Sequence, residues 1–160
     1  MAGQPEDASS LGTRRSVILP DTSAWVEFLR QSGHPVHLEL RRLIDEGEDV
    51  AITEQVIFEL LAGAGAGPDL LRLRERLFAL PLIPYAGLDD AELAAWIYRA
   101  CREAGHALRS LNDCLVAAPA IRTDSAVLHN DSDFDVMARH AGLRIHEAPK
   151  RPRRPRRKIT

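Results

Sequence analysis

The sequence predicts one α/β domain built on a short, mostly parallel sheet with helices on both of its faces. Short apolar runs suited to buried strands alternate with longer segments of helical periodicity, the pattern typical of strand–helix–strand units. No internal repeat or linker interrupts this alternation. At 160 residues, 45% of them hydrophobic, the chain is long enough to bury one core without disulfides.

The predicted elements follow one another closely. Strands are expected at 17–20, 50–52, 82–83, 126–128 and 143–145. A first helix lies between Thr22 and Gly33, and later helices are expected at 36–46, 54–62, 69–79, 89–104, 111–121 and 133–141. We expect residues 1–15 to form a disordered leader, residues 16–147 the folded domain and residues 148–160 a disordered basic tail.

The helix expected at 111–121 contains a proline. Ser110 is a suitable N-cap for it. Pro119 lacks a backbone donor and would crowd the carbonyl of Leu115, at a cost of ~3 kcal/mol in a straight helix. We therefore predict a kink or an early end after Ala118.

Charge and cysteine content restrict the class of protein. Residues 150–160 carry seven of the 21 basic residues and no acid, so the remainder has a net charge of about −9. The tail either binds phosphates or merely solubilises the chain. Cys101 and Cys114, outside any CxxC motif, suit buried thiols in a reducing cytoplasm. No apolar stretch reaches the ~18 residues of a membrane span.

Acidic residues recur where predicted strands end and helices begin, at Asp21, Glu59, Asp113, Asp131 and Asp133. Each alone has an ordinary explanation as a helix cap, a partner of the helix dipole, a turn residue or a surface residue. Parallel strands end at one edge of a sheet, so these carboxylates are expected to converge there. Converging carboxylates repel unless a cation neutralises them, and oxygen ligands favour Mg²⁺ or Mn²⁺. Such a site can activate water and clamp a phosphodiester.

Four short motifs containing these acids resemble the PIN domain family, in the order and at the intervals of that family. They cover roughly residues 16–146 and lie at Val17–Trp25 (VILPDTSAW), Phe58–Gly63 (FELLAG), Gly105–Ala118 (ending NDCLVAA) and Leu128–Asp135 (LHNDSDFD). Size and loop lengths are similar to those of VapC-type toxins of bacterial toxin–antitoxin pairs.

The resemblance implies a Mg²⁺- or Mn²⁺-dependent endoribonuclease. It assigns metal-ligand roles to Asp21, Glu59, Asp113 and Asp131, with Asp133 as an outer or second-metal ligand. It also gives Ser23 the role of orienting Asp21 or a water molecule. His129 departs from the family, which often has Thr or Ser there, so an imidazole replaces a hydroxyl near the substrate phosphate.

The resemblance also implies partners. A VapB-type antitoxin would neutralise the enzyme, laying a helix or extended segment into an apolar groove of the early helices and offering a basic side chain to the acids. Trp25, Phe28 and Leu29 are candidates for that groove, although we expect at least two of them to be core residues. The family is usually homodimeric. Because the body is acidic, RNA must be attracted by the metal together with basic residues, for which the candidates are Arg72, Arg74, Arg76, Arg109, Arg153 and Arg154.

Two alternatives use the same residues differently. A PIN-like module could recognise RNA or a protein partner without cutting it. A receiver-like phosphoacceptor would use Asp21 but normally needs a lysine at a strand end, and the only lysines, Lys150 and Lys158, lie in the tail. Metal-dependent RNA cleavage that is lost in an Asp21→Asn variant separates the nuclease from both.

Overall fold

The computed structural model describes residues 16–149, and these form an α/β fold with three strands and seven helices. The strands are β1 (Ile18–Pro20), β2 (Ala126–Leu128) and β3 (Arg144–Ile145). The helices are α1 (Thr22–Leu29), α2 (Pro35–Asp45), α3 (Glu54–Gly63), α4 (Pro68–Phe78), α5 (Leu88–Glu103), α6 (Asn112–Arg122) and α7 (Ser132–Ala141). The expected leader, and the tail from residue 150 onwards, lie outside the described residues.

The sheet is parallel, as predicted. Its order is β1-β2-β3, with Leu19 opposite Val127 and Val127 opposite Ile145. The strands expected at 50–52 and 82–83 are reduced to single parallel bridges, Ile18 with Val50 and Ile52 with Leu82. Pro81 and Pro84 flank the outer bridge, and because proline has no backbone donor, a longer ladder cannot form there. All five segments therefore end at the same edge of the sheet.

A buried apolar core holds this edge in place. Every residue of β1 and β2 is buried, as expected for a parallel sheet covered on both faces. Helices α5 and α6 pack against one another, and Ile97 and Cys101 of α5 are entirely buried. Cys114 of α6 is also buried, and both thiols are free. Burial raises the pKa of Cys114 to about 12, so this thiol is unreactive.

Helix α6 corrects two expectations. The helix continues through Pro119 to Arg122, so the early end after Ala118 was wrong. The helix face around Pro119 is fully buried, which offsets the lost backbone bond, and the Pro119 carbonyl accepts from both the backbone N–H and the hydroxyl of Thr123. Ser110 is not the N-cap: the helix starts at Asn112, whose N–H donates to the Ser110 hydroxyl at 3.2 Å.

Within residues 16–149, none of the helices combines the length and the hydrophobicity that crossing a bilayer requires.

Candidate metal centre

Two of the predicted acids stand where adjacent strands end. Asp21 directly follows β1, and Asp131 follows β2 after two intervening residues. Each is the N-cap of the next helix: one Asp21 oxygen accepts from the Ala24 N–H at 2.9 Å, and one Asp131 oxygen accepts from the Asp133 N–H at 3.0 Å. Asp21 and Asp131 are therefore helix caps, and they also lie at the edge of the sheet where the metal site was predicted. The strand-to-helix turns fix where their carboxylates lie.

Three acids meet at the centre of the site. Carboxylate oxygens of Asp113, Asp131 and Asp133 all lie within 4.8 Å of one another. Asp113 comes from the first turn of α6, while the other two come from the start of α7. Asp21 and Glu59 do not belong to this three-residue cluster. The structure thus brings three of the five predicted ligands within coordinating distance of a single ion.

Asp21 and Glu59 lie close enough to the cluster to raise the pKa of Asp113. Burial, then repulsion from Asp131, Asp21, Asp133 and Glu59, raise the pKa of Asp113 to about 7. Among the described residues, no group donates a hydrogen bond to its carboxylate. The Asp113 carboxylate is therefore repelled by all four other acids, and no described hydrogen-bond donor compensates for that repulsion.

Asp21 is almost completely buried, with 4% of its surface exposed. Burial raises its pKa, although hydrogen bonds from Ala24 and Ser23 oppose that shift. The Ser23 hydroxyl donates to Asp21 at 2.8 Å and accepts from the backbone N–H of Asn130 at 2.8 Å. Ser23 thus links the end of β1 to the loop after β2, and its predicted contact with Asp21 is present.

Glu59 enters from α3 and is oriented by two side chains. Thr22 donates its hydroxyl to one Glu59 oxygen, and the Gln55 amide donates to the other at 2.8 Å. Neither Thr22 nor Gln55 was among the predicted site residues. The available signal was the position of Thr22, directly between Asp21 and Ser23.

Arg109 has a role that the sequence did not indicate. Its guanidinium contacts Asp131 and lies 3.2 Å from Asp133, while its backbone N–H donates to Asp133 at 2.7 Å. Its side chain is 66% exposed, so this cation forms one wall of the acidic cluster. The three other described candidates for RNA contact lie on α4, which packs against α3: Arg72 pairs with Asp69, Arg74 covers the Phe78 ring, and Arg76 lines a nearby cavity. Arg153 and Arg154 lie outside the described residues.

His129 lies between the sheet and the acids. Its Nδ1 accepts from the Asp131 N–H at 3.2 Å, and its ring packs at 5.3 Å from Phe134. The imidazole therefore positions the Asp131 turn and is not a member of the carboxylate cluster.

The donor set fits a hard divalent cation. All of its ligand atoms are carboxylate oxygens, the type that Mg²⁺ and Mn²⁺ prefer over zinc. Arg109 supplies one positive charge at the side of Asp131 and Asp133, but among the described residues the Asp113 carboxylate has no hydrogen-bond or ion-pair partner, and its pKa is raised to about 7. A bound cation would remove that repulsion.

Comparison with known proteins gives the same family as the motifs. The family model described as "PIN domain" matches residues 18–140. The chain is 43% identical over 128 residues to VapC ribonuclease Mb1587 of Mycobacterium bovis and equally to Ribonuclease VapC11 of Mycobacterium tuberculosis. Each match covers 79% of this chain and 96% of the relative.

Solved structures share the fold at low sequence identity. VapBC2 from Rickettsia felis, bound to a DNA fragment from its promoter, has a TM-score of 0.65 at 17% identity, covering 81% of this chain and 97% of the other. FitAcB from Neisseria gonorrhoeae has a TM-score of 0.63 at 24% identity, covering 82% and 98%.

Proposed function

This chain belongs to the PIN domain family, among its VapC-type members, and we propose that it is a Mg²⁺- or Mn²⁺-dependent endoribonuclease toxin. The observation that carries the proposal is the convergence of Asp113, Asp131 and Asp133, with the pKa of Asp113 raised to about 7 by burial and by the other acids. The relatives that are 43% identical are named as ribonucleases, which supports RNA as the substrate.

The acids would hold the cation, and neighbouring side chains keep the acids in place. Asp113, Asp131 and Asp133 would hold the cation, and Asp21 and Glu59 complete the negative wall from β1 and α3. When bound, the cation lowers the pKa of an attacking water and stabilises the charge that develops on the phosphodiester. Ser23 and Ala24 hold Asp21, Thr22 and Gln55 hold Glu59, and Arg109 holds Asp133. Asp131 is held by Arg109 and by the backbone N–H of Asp133, so among the described residues Asp113 is the one of these five acids whose carboxylate accepts no hydrogen bond.

Phosphates of RNA must approach a surface with a net negative charge. Arg109 is the described arginine that lies against the acids, so we assign to it the contact with a phosphate beside the reacting one. The basic residues 150–160 add attraction that does not depend on sequence.

We also infer a VapB-type antitoxin as the partner, and a homodimer as the assembly. Of the three residues considered for the groove, Trp25 is buried, Phe28 packs against it at 5.7 Å, and Leu29 is 41% exposed. Leu29 borders a cavity of about 410 Å³ formed with α4, in which Leu70, Leu73 and Arg76 take part. Because its wall combines leucines with charged side chains, this cavity fits an amphipathic segment of the partner.

The test of the nuclease is cleavage of a mixed tRNA, rRNA and mRNA pool by the purified protein with Mg²⁺, Mn²⁺ or EDTA. We expect discrete products with either metal, none with EDTA, and at least about a tenfold loss with Asp21→Asn, since the carboxylate charge is lost while an asparagine still caps α1. Full activity in EDTA or in the Asp21→Asn variant would contradict the proposal. Mass spectrometry of the purified sample checks for a co-purifying small protein that masks activity.

Ser23 connects Asp21 to the loop after β2 through its hydroxyl. Replacing Ser23 with alanine removes the donor to Asp21 and the acceptor of the Asn130 N–H, so we expect the cleavage rate to fall about 10- to 100-fold. Circular dichroism should show the fold unchanged. Ser110→Ala is the matched control, because its hydroxyl contacts only the exposed start of α6. Equal rates for the two variants would rule out a positioning role for Ser23.

A further inference from the structure

A cavity of about 290 Å³ adjoins the acidic cluster on the side of β3. It opens where β2 and β3 end, at the same edge of the sheet as the acids, which is where parallel α/β sheets bind ligands. Asp131 and Ser132 belong to its wall, so it is continuous with the candidate metal centre. An RNA strand whose phosphate reaches the acids would place a neighbouring nucleotide over this cavity.

The wall combines apolar surface with polar groups at one rim. Pro35, Val36, Ile145 and Ala148 supply the apolar part. Around them lie His34, His129, Asn130, Asp135, His146 and Glu147. A flat ligand with apolar faces and hydrogen-bonding edges, such as a nucleobase, matches this mixture. A second phosphate does not match it, because the carboxylates of Asp131, Asp135 and Glu147 in the wall would repel the negative charge.

Hydrogen bonds fix which groups His129 presents to the cavity. Because its Nδ1 accepts from the Asp131 N–H, the neutral ring carries its proton on Nε2. The Nε2 atom lies 3.6 Å from Oδ1 of Asp135, longer than a hydrogen bond, and the Asp135 side chain is 58% exposed. The rim therefore offers one donor beside a carboxylate with two acceptors.

This order of groups distinguishes the four bases. The Watson–Crick edge of guanine presents an acceptor (O6) followed by two donors (N1–H and N2–H), the complement of a donor followed by two acceptors. Adenine and cytosine would place ring-nitrogen acceptors against the carboxylate. Uracil matches at two positions and places its second carbonyl against the remaining oxygen.

We propose that this cavity is a nucleobase subsite that holds guanine in the nucleotide next to the scissile phosphate, with His129 Nε2 donating to O6 and Asp135 accepting from N1–H and N2–H. The proposal rests on the proposed ribonuclease function, because it assigns the substrate preference of that site. His34 and Pro35 form the wall against which the base packs, and Asp135 selects the base without holding the cation.

The first test uses short RNA oligonucleotides, with Mn²⁺, that differ only in the base on either side of one cleavable bond. We expect guanine at one fixed position to be cleaved about tenfold faster than adenine there, with inosine, which lacks the N2 amino group, in between. The Asp135→Asn variant should lose that preference, so that it cleaves the guanine and adenine substrates at similar rates. Asp124→Asn is the matched control: it removes another exposed carboxylate, which lies before β2 at the opposite edge of the sheet.

The second test does not depend on cleavage. In the full chain without metal, guanosine should shift the NMR signals of the His129 and His34 rings, and adenosine at the same concentration should not. Wild-type cleavage with no base preference, or a preference that persists in Asp135→Asn, would overturn the subsite. So would Asp135→Asn weakening neutralisation by the antitoxin without changing base preference, because the cavity would then belong to a protein partner. If no RNA is cut under any metal, the nuclease proposal fails, and the guanosine titration alone decides the subsite.

Discussion

Replacing Asp113 with asparagine should lower the cleavage rate on the order of 1,000-fold and at the same time stabilise the metal-free protein. The loss follows from the position of Asp113 in the cluster, since it is repelled by all four other acids and would help to hold the cation that stabilises the charge developing on the phosphodiester. The stabilisation follows because asparagine has nearly the same shape but carries no charge to be buried or repelled. A residue with a purely structural role would not combine these two effects.

The stability effect depends on pH in a defined direction. Burial and repulsion raise the pKa of Asp113 from an ordinary value of 3.8 to about 7, so the folded state holds a proton that the unfolded state has released between these values. Relative to Asp113→Asn, the wild type should therefore lose stability as the pH rises from about 4 to about 7, and no further above that. Discounted for the partial exposure of Asp113, this loss of unfolding free energy relative to Asp113→Asn amounts to about 1 to 2 kcal/mol above pH 7.

Urea unfolding of both proteins in EDTA, at pH values across that window, measures the difference. Adding Mg²⁺ or Mn²⁺ should then stabilise the wild type by mass action and leave the variant little changed. Glu75→Gln on α4 is the control for loss of an acid outside the site. Equal stability of wild type and Asp113→Asn at pH 8 in EDTA would contradict the repulsion on which the metal centre depends.

The second large effect concerns an ion pair that anchors α5 to α6. Asp90 is 1% exposed and receives both Nε and a terminal nitrogen of Arg122, at 2.8 and 3.0 Å, together with the Ala86 N–H at 2.7 Å. Burial alone would raise the pKa of Asp90, but the bonds from Arg122 and Ala86 lower it overall. The same guanidinium donates to the carbonyl of Pro84, so Arg122 ties α6 both to the start of α5 and to the segment that precedes it.

Asp90→Ala should destabilise the fold by about 2 to 4 kcal/mol, because it leaves a partly buried guanidinium and a backbone N–H without their acceptor. Denaturant unfolding at pH 7 measures this, and the double variant Asp90→Ala/Arg122→Leu should recover part of the loss. Asp69→Ala, which breaks the exposed pair with Arg72, should change stability little. A loss for Asp90→Ala no larger than that of Asp69→Ala would show that the pair contributes no net stability.

Local patterns in the sequence were enough to predict the strand ends. The run before Asp21 and the run before His129 are apolar, short and followed by capping residues, so β1, β2 and the acids after them could be placed from neighbouring residues alone. The family confirms the fold class and the motifs, while the ligand roles of the acids remain a proposal.

Contacts between distant residues could not be predicted in this way. The guanidinium of Arg109 meets Asp133 across 24 positions, and Thr22 meets Glu59 across 37, so neither pairing leaves a local signal. Pro119 misled the helix prediction for a related reason. The cost of proline is local, but its compensation is the burial of a helix face by residues that are remote in the sequence.

Asp21 and Asp131 stabilise the fold as helix caps, independently of any reaction at the site. Asp21 and Asp131 each satisfy a backbone donor at the start of a helix, whereas the Asp113 carboxylate satisfies none among the described residues. In a descendant that has lost its activity, selection for folding alone would still retain a capping side chain at positions 21 and 131, while relief of repulsion would favour the replacement of Asp113. Among relatives of unknown competence, the residue at position 113 is therefore the informative marker of a surviving enzyme, and a capping residue at position 21 or 131 is not.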